Sequence, residues 1–167
     1  MDQGPLLEDI LRRSLTVFVQ HVRNTGWWGK EREAMNYYAF GFLLKECRPG
    51  SVLFDPAQLV IESRVRQIKK PKSKNEVCKD LAVWAAPGHG CWDAQRKSRQ
   101  HPLAILEWKA NTGKIFAYDR DWLVAFSSGK PDFTGVCLSL NMLADPPTLN
   151  ASLIRNGVET PEWLLIE

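Results

Sequence analysis

The chain has 167 residues, a formal net charge of +3, 44% hydrophobic and 25% charged residues, which are ordinary values for one folded domain. This charge is too small to require a nucleic-acid partner by itself, and no apolar run approaches the ~20 residues of a membrane-spanning helix. Residues 1–15 lack the basic start and the apolar run of a signal peptide. We therefore expect an intracellular, cytoplasmic protein without a membrane partner, whose four cysteines stay reduced.

Two helices are predicted in the N-terminal part of the chain. Apolar side chains follow a period of 3.6 residues over residues 5–24, and Gly26 stands where such a helix would end. A second helix is expected over residues 30–47. Glu31 and Glu33 lie in its first turn, where negative charge interacts favourably with the helix dipole.

Strands dominate the rest of the chain. Alternation of apolar and polar residues predicts a strand over residues 59–68, and two short apolar runs predict buried strands over residues 80–84 and 103–109. Asp119 is expected to cap a helix that continues to about Ser127. A further strand is predicted over residues 135–143.

These elements predict a single domain over residues 1–167 with three parts. An N-terminal helix occupies residues 1–29, an αβββαβ core residues 30–143, and a C-terminal hairpin or edge strand residues 144–167. The expected fold class is α/β, with a central mixed β-sheet flanked by helices.

Two of the predicted strands carry acidic residues. Asp80 begins one strand, Glu107 lies near the end of the next, and Lys109 follows two residues later. Because side chains alternate along a strand, Glu107 and Lys109 should share one face and Trp108 the other. If the two strands pair, Asp80 and Glu107 can converge beside Lys109. Two carboxylates form a hard oxygen site for Mg²⁺, and an ammonium can position a phosphate or a water, which predicts metal-dependent phosphodiester chemistry.

Basic residues cluster on both sides of Asp80. Cations near a phosphate-cleaving site would gather a nucleic-acid backbone, although a solvated basic loop explains either cluster taken alone. The candidate nucleic-acid-binding residues are Arg64, Arg66, Lys69, Lys70, Lys72, Lys74, Arg96 and Lys97.

The order of elements, with Asp80 in KDLAVW and Glu107 and Lys109 in LEWKA, resembles the PD-(D/E)xK nuclease superfamily. The resemblance implies a restriction-endonuclease-like fold, an endonuclease that hydrolyses DNA, and Mg²⁺ or Mn²⁺ held by Asp80 and Glu107. It also implies that Lys109 positions the attacking water, that Glu33 or Glu31 assists from the preceding helix, and that a homodimer is a candidate assembly. Lys79 stands where the superfamily's name has proline, and the loop between the acidic strands is long.

Other interpretations stay open at this point. The same fold could serve as a non-catalytic nucleic-acid-binding or assembly subunit, and Glu62 could be a further acid of the site or a solvated strand residue. His89, Cys91 and Asp93 do not have the spacing typical of structural zinc. No glycine-rich loop for a nucleotide cofactor is present in the sequence. The choice between DNA and RNA, and between single and double strands, is not determined by these residues.

Overall fold

The computed structural model describes residues 4–68, 74–93, 95 and 100–167, and for Gly4 and Pro5 only the backbone. Three helices occur in this part of the chain: α1 (Gly4–Thr25), α2 (Glu31–Gly41) and α3 (Ala117–Ser127). Two 3-10 turns follow α2, at Leu43–Glu46 and Pro56–Gln58. The helix expected over residues 30–47 therefore ends early, because the backbone leaves the α conformation at Phe42 and tightens into the first 3-10 turn.

Six strands form one sheet in chain order. They are β1 (Leu59–Arg66), β2 (Glu76–Val83), β3 (Ala104–Ala110), β4 (Thr134–Asn141), β5 (Thr148–Arg155) and β6 (Val158–Ile166). The pairing is parallel between β3 and β4 and antiparallel at every other contact. The expected mixed sheet flanked by helices is thus confirmed, and β5 and β6 form the predicted C-terminal hairpin around Asn156-Gly157.

Helices cover both faces of the sheet. The apolar stripe of α1, which includes the fully buried Leu11, Leu15 and Phe18, packs with α2 and with one face of the sheet in the larger hydrophobic cluster. Helix α3 lies on the other face, where Trp122 and Phe126 belong to a second cluster. The 3.6-residue period of α1 is the direct reason that its stripe becomes core.

The β1–β2 hairpin changes the face it presents partway along its length. Ile61 packs with the α1–α2 cluster, whereas Val65 belongs to the α3 cluster, although residues four apart in a regular strand share a face. Glu62 lies between them with a positive φ of 53°, and Glu62 and Asp80 are not a paired position of the ladder. This irregularity turns the distal half of the hairpin toward α3.

Strand β2 is longer than predicted. The apolar run suggested residues 80–84, but antiparallel pairing with β1 extends the strand back to Glu76, which faces Arg66. This extension places Lys79 inside the strand instead of before it. The pairing depends on β1, so the composition of β2 alone does not reveal it.

Candidate active site

The candidate site lies where β2 and β3 stop pairing. The ladder between them covers Leu81↔Leu106 to Val83↔Ala104, so Asp80 and Glu107 are the first residues beyond it. Asp80 Oδ2 accepts a hydrogen bond of 2.8 Å from the backbone N–H of Trp108. A side-chain carboxylate thus replaces a backbone carbonyl as the partner of β3, and the two strands separate at the two acids.

Glu107 is buried and forms an ion pair with Lys79. The two side chains are 6% and 3% exposed, and Lys79 Nζ also lies 3.8 Å from the centre of the Trp122 ring on α3. Burial raises the pKa of Glu107 to about 7, opposed by Lys79 and reinforced by Asp80 and Asp119. The negative charges of Asp80 and Asp119 therefore add to the effect of burial, and both favour the protonated form of Glu107.

Lys109 joins α2 and α3 to the end of β3. Its Nζ lies 3.3 Å from Glu31 Oε1 and 3.5 Å from Asp119 Oδ2, and 5.5 Å from the centre of the Phe116 ring. Partial burial lowers the pKa of Lys109, but Glu31, Asp119 and Asp80 together raise it above its ordinary value. The ammonium is therefore a fixed positive charge at the edge of the site.

The expected alternation along β3 is present. Trp108 packs in the α1–α2 cluster against Phe18 and Tyr38, with ring centroids 6.0 and 5.2 Å apart. Glu107 and Lys109 instead contact Lys79 and Asp119, on the α3 side of the sheet. Their position on one face follows from the period of two in a strand.

The three acids considered as helpers occupy different places. Glu31 contacts Lys109, whereas Glu33 accepts a hydrogen bond of 2.8 Å from the backbone N–H of Lys30 and so caps the start of α2. Glu62 is exposed and forms an ion pair with Arg32. Among the three, the structure brings Glu31 to the ammonium, and the catalytic role assigned to Glu33 stays a prediction.

The predicted nucleic-acid-binding residues are only partly described. Arg64 and Arg66 are exposed on β1, and Lys74 is exposed before β2. Arg64 Nη1 lies 3.4 Å from Glu76 Oε2 across the hairpin. Lys69, Lys70, Lys72, Arg96 and Lys97 lie outside the described residues.

Two residues near the site have roles that sequence reasoning missed. Asp119 was expected to cap α3, but Phe116 occupies the cap position and Asp119 lies in the first turn, facing Lys109. That expectation was wrong because the helix begins three residues earlier than a cap at Asp119 would place it. Lys79, noted in the sequence as standing where the superfamily's name has proline, is buried against Glu107. Its position directly before Asp80 on an apolar strand was the available signal.

Asp80 and Glu107 are the two carboxylates of the site that could contribute oxygen ligands to a metal ion. Asp80 is half-buried, and its Oδ1 forms no hydrogen bond with a described residue. Glu107 supplies the second carboxylate, one ladder position beyond the last pair. Mg²⁺ is commonly bound by one or two carboxylates with waters and substrate phosphates. Within residues 4–68, 74–93, 95 and 100–167, no group of three His, Cys, Asp or Glu side chains is placed to hold a metal, which includes the His89–Asp93 segment.

Comparisons with family models, with curated proteins and with solved structures found no match to this chain. None of the helices described is both long and apolar enough to cross a membrane. All four cysteines are free thiols in the structure.

Proposed function

We propose that this protein is a divalent-metal-dependent endonuclease of the PD-(D/E)xK type, with a restriction-endonuclease-like fold, that hydrolyses phosphodiester bonds in DNA. The observation that carries the proposal is the grouping of Asp80, Glu107 and Lys109 at the point where β2 and β3 separate. The order α2, β1, β2, β3, α3, β4, with β3 and β4 parallel, supports the same fold.

Each residue has a distinct part in the proposed reaction. Asp80 and Glu107 would hold Mg²⁺ or Mn²⁺, which when bound supplies positive charge to the phosphate as it gains negative charge. Lys109 would donate a hydrogen bond to the attacking water, orient it in line with the scissile bond and lower its proton affinity. Glu31 and Asp119 keep the ammonium in place through their ion pairs with it.

Lys79 supports a second candidate function. Its ammonium already neutralises Glu107 inside the protein, so one of the two proposed metal ligands has a cationic partner without any metal. A non-catalytic nucleic-acid-binding or assembly subunit on the same fold would need no more than this. Measured cleavage decides between the two.

The test is cleavage of supercoiled plasmid and of a single-stranded oligonucleotide with Mg²⁺, Mn²⁺ or EDTA. We expect cutting that requires the metal, that is lost in Glu107→Ala and Asp80→Ala, and that persists in Glu76→Gln, a control at an exposed ion pair. Normal activity and metal affinity in Asp80→Ala would contradict the assignment. DNA binding without cutting under every condition would favour the non-catalytic subunit.

A further inference from the structure

Two short segments beside Lys109 each present an exposed aromatic ring and an exposed lysine. Before α2 the chain reads Trp28-Gly29-Lys30, and before α3 it reads Lys114-Ile115-Phe116. The exposed fractions are 52% for Trp28, 51% for Phe116 and 65% for Tyr118 in the first turn of α3. In both segments the ring and the lysine are two residues apart.

The first segment is fixed to the end of β3. The carbonyl of Gly29 accepts a hydrogen bond of 3.0 Å from Asn111 Nδ2, two residues after Lys109. The Trp27 ring packs inward against Tyr37, at 4.8 Å between centroids, and lies over Gly29 so closely that a Cβ there would be 2.5 Å from the ring. Trp27 therefore packs against the core, whereas its neighbour Trp28 faces solvent.

The second segment approaches the same ammonium from the other side. The Phe116 ring lies 5.5 Å from Lys109 Nζ, and Tyr118 directly precedes Asp119, which contacts Lys109. Glu31, three residues after Trp28, contacts Lys109 as well. The exposed rings therefore flank the candidate site on both its α2 and its α3 side.

Exposed aromatic rings also occur elsewhere on the molecule, for example Phe40 and Phe54, and need no ligand to explain them. The rings beside Lys109 differ because each segment adds a cation. Lys30 and Lys114 are exposed, and neither forms an ion pair with a described residue. A ring that can stack on a base, with an ammonium nearby for a phosphate, is the combination by which proteins bind single strands.

We propose that this surface, formed by Trp28, Lys30, Lys114, Phe116 and Tyr118, binds single-stranded nucleic acid across the candidate site. Bases stack on the rings and phosphates pair with the two lysines. Bases of a duplex are stacked on one another, so their faces are not available to these rings. The inference rests on the proposed nuclease function, and it specifies that the substrate is single-stranded.

The test measures binding in EDTA, where no metal-dependent turnover competes. Fluorescence anisotropy of labelled 15-nucleotide oligo-dT and oligo-rU is recorded with the full chain and with Trp28→Ala, Phe116→Ala and the conservative Trp28→Phe. We expect about tenfold weaker binding for each alanine variant and near-normal binding for Trp28→Phe, which keeps a ring. Phe40→Ala, an equally exposed ring on α2, is the matched control and should change affinity less than twofold.

Comparison of oligo-dT with oligo-rU shows whether the surface prefers single-stranded DNA or single-stranded RNA. Tight binding of either oligonucleotide that the alanine variants weaken supports the proposal, and a difference between the arms identifies the preferred sugar. If an aromatic variant folds poorly, the double variant Lys30→Glu/Lys114→Glu tests the same surface. We expect this variant to bind single strands more weakly and with a smaller dependence on salt concentration.

Three results would overturn the inference: absence of single-strand binding by the unaltered chain, unchanged affinity in both alanine variants, or a blunt duplex bound at least as tightly as the single strand. Plasmid cleavage keeps this outcome distinct from that of the proposed function. Metal-dependent cutting with unaffected aromatic variants would remove only the single-strand inference. Ring-dependent binding without any cutting would remove only the nuclease.

Discussion

Lys79 Nζ contacts Glu107 Oε1 in the interior of the protein, and neither side chain is more than 6% exposed. A buried ion pair gains Coulomb energy but loses the hydration of both charges, so its net effect on stability is small as long as both partners remain. Removing one partner leaves the other charge buried and uncompensated. The pair therefore links the stability of the fold to the charge of the proposed metal ligand.

Replacing Lys79 with Met is expected to lower the free energy of unfolding by about 3 kcal/mol at pH 8. The loss should be smaller at pH 6, because Glu107, whose pKa is raised to about 7, is then largely protonated in the unaltered protein as well, and less charge attraction is lost. Urea unfolding of the metal-free protein at pH 6 and pH 8 measures the loss in the free energy of unfolding. The double variant Lys79→Met/Glu107→Gln should recover part of the loss, and Arg64→Met, at an exposed pair, should cost less than about 1 kcal/mol. Equal losses in the single and double variants would contradict the prediction.

The raised pKa of Glu107 predicts how stability depends on pH. The folded protein holds this proton up to about pH 7, whereas the ordinary value is 4.5. Protonation therefore favours the folded state, and the stabilisation present below pH 4.5 is lost as the pH rises through 7. The limit of the effect is about 3 kcal/mol. Unfolding of the unaltered chain and of Glu107→Gln in EDTA is followed from pH 4 to pH 8. Because the Gln side chain resembles the protonated carboxyl, the two proteins should differ least at pH 4, and Glu107→Gln should gain stability relative to the unaltered chain by up to about 3 kcal/mol as the pH rises to 8. A stability difference that does not change with pH would contradict the prediction.

Replacing Lys109 with Ala should reduce cleavage at least about 100-fold while leaving metal affinity within a few fold, because Lys109 acts on the water and is not a ligand. Single-turnover cleavage and Mn²⁺ titration measure the two quantities separately. Lys45→Ala is the matched control, since its ammonium also lies near an aromatic ring, 5.3 Å from Phe42, but away from the acids. Equal loss of cleavage in both variants, or loss of metal binding in Lys109→Ala, would assign Lys109 a different role.

Replacing Gly29 with Ala should destabilise the protein by about 1–3 kcal/mol, because the added methyl group meets the Trp27 ring at 2.5 Å and the Cβ of Glu33 at 3.2 Å. The clash also displaces the start of α2, which carries Glu31. Thermal unfolding compares this variant with Gly113→Ala, where a Cβ meets nothing within 4 Å and a change below about 1 kcal/mol is expected. Two variants of equal stability would show that the ring moves aside without cost.

Elements with a local signal in the sequence could be predicted without the fold. The period of 3.6 in α1 and the Glu107-Trp108-Lys109 alternation in β3 each repeat within a few residues, because a turn of helix or a strand pleat fixes the direction of nearby side chains. The period of two located β1, but it did not indicate that the strand changes face at Glu62. The acids on strands β2 and β3 were found because they lie in short apolar runs. The C-terminal segment, expected as a hairpin or an edge strand, contains the antiparallel pair β5 and β6.

The contacts between charged side chains, in contrast, depend on how distant segments pack together. Lys109 contacts Glu31, 78 residues earlier in the chain, while Glu33 two positions further on caps its own helix. Lys79 contacts Glu107 on the face where the β1–β2 hairpin, beyond the irregularity at Glu62, packs with Trp122 and its neighbours. Contacts between distant segments are fixed by strand register and packing, which a short stretch of sequence does not encode.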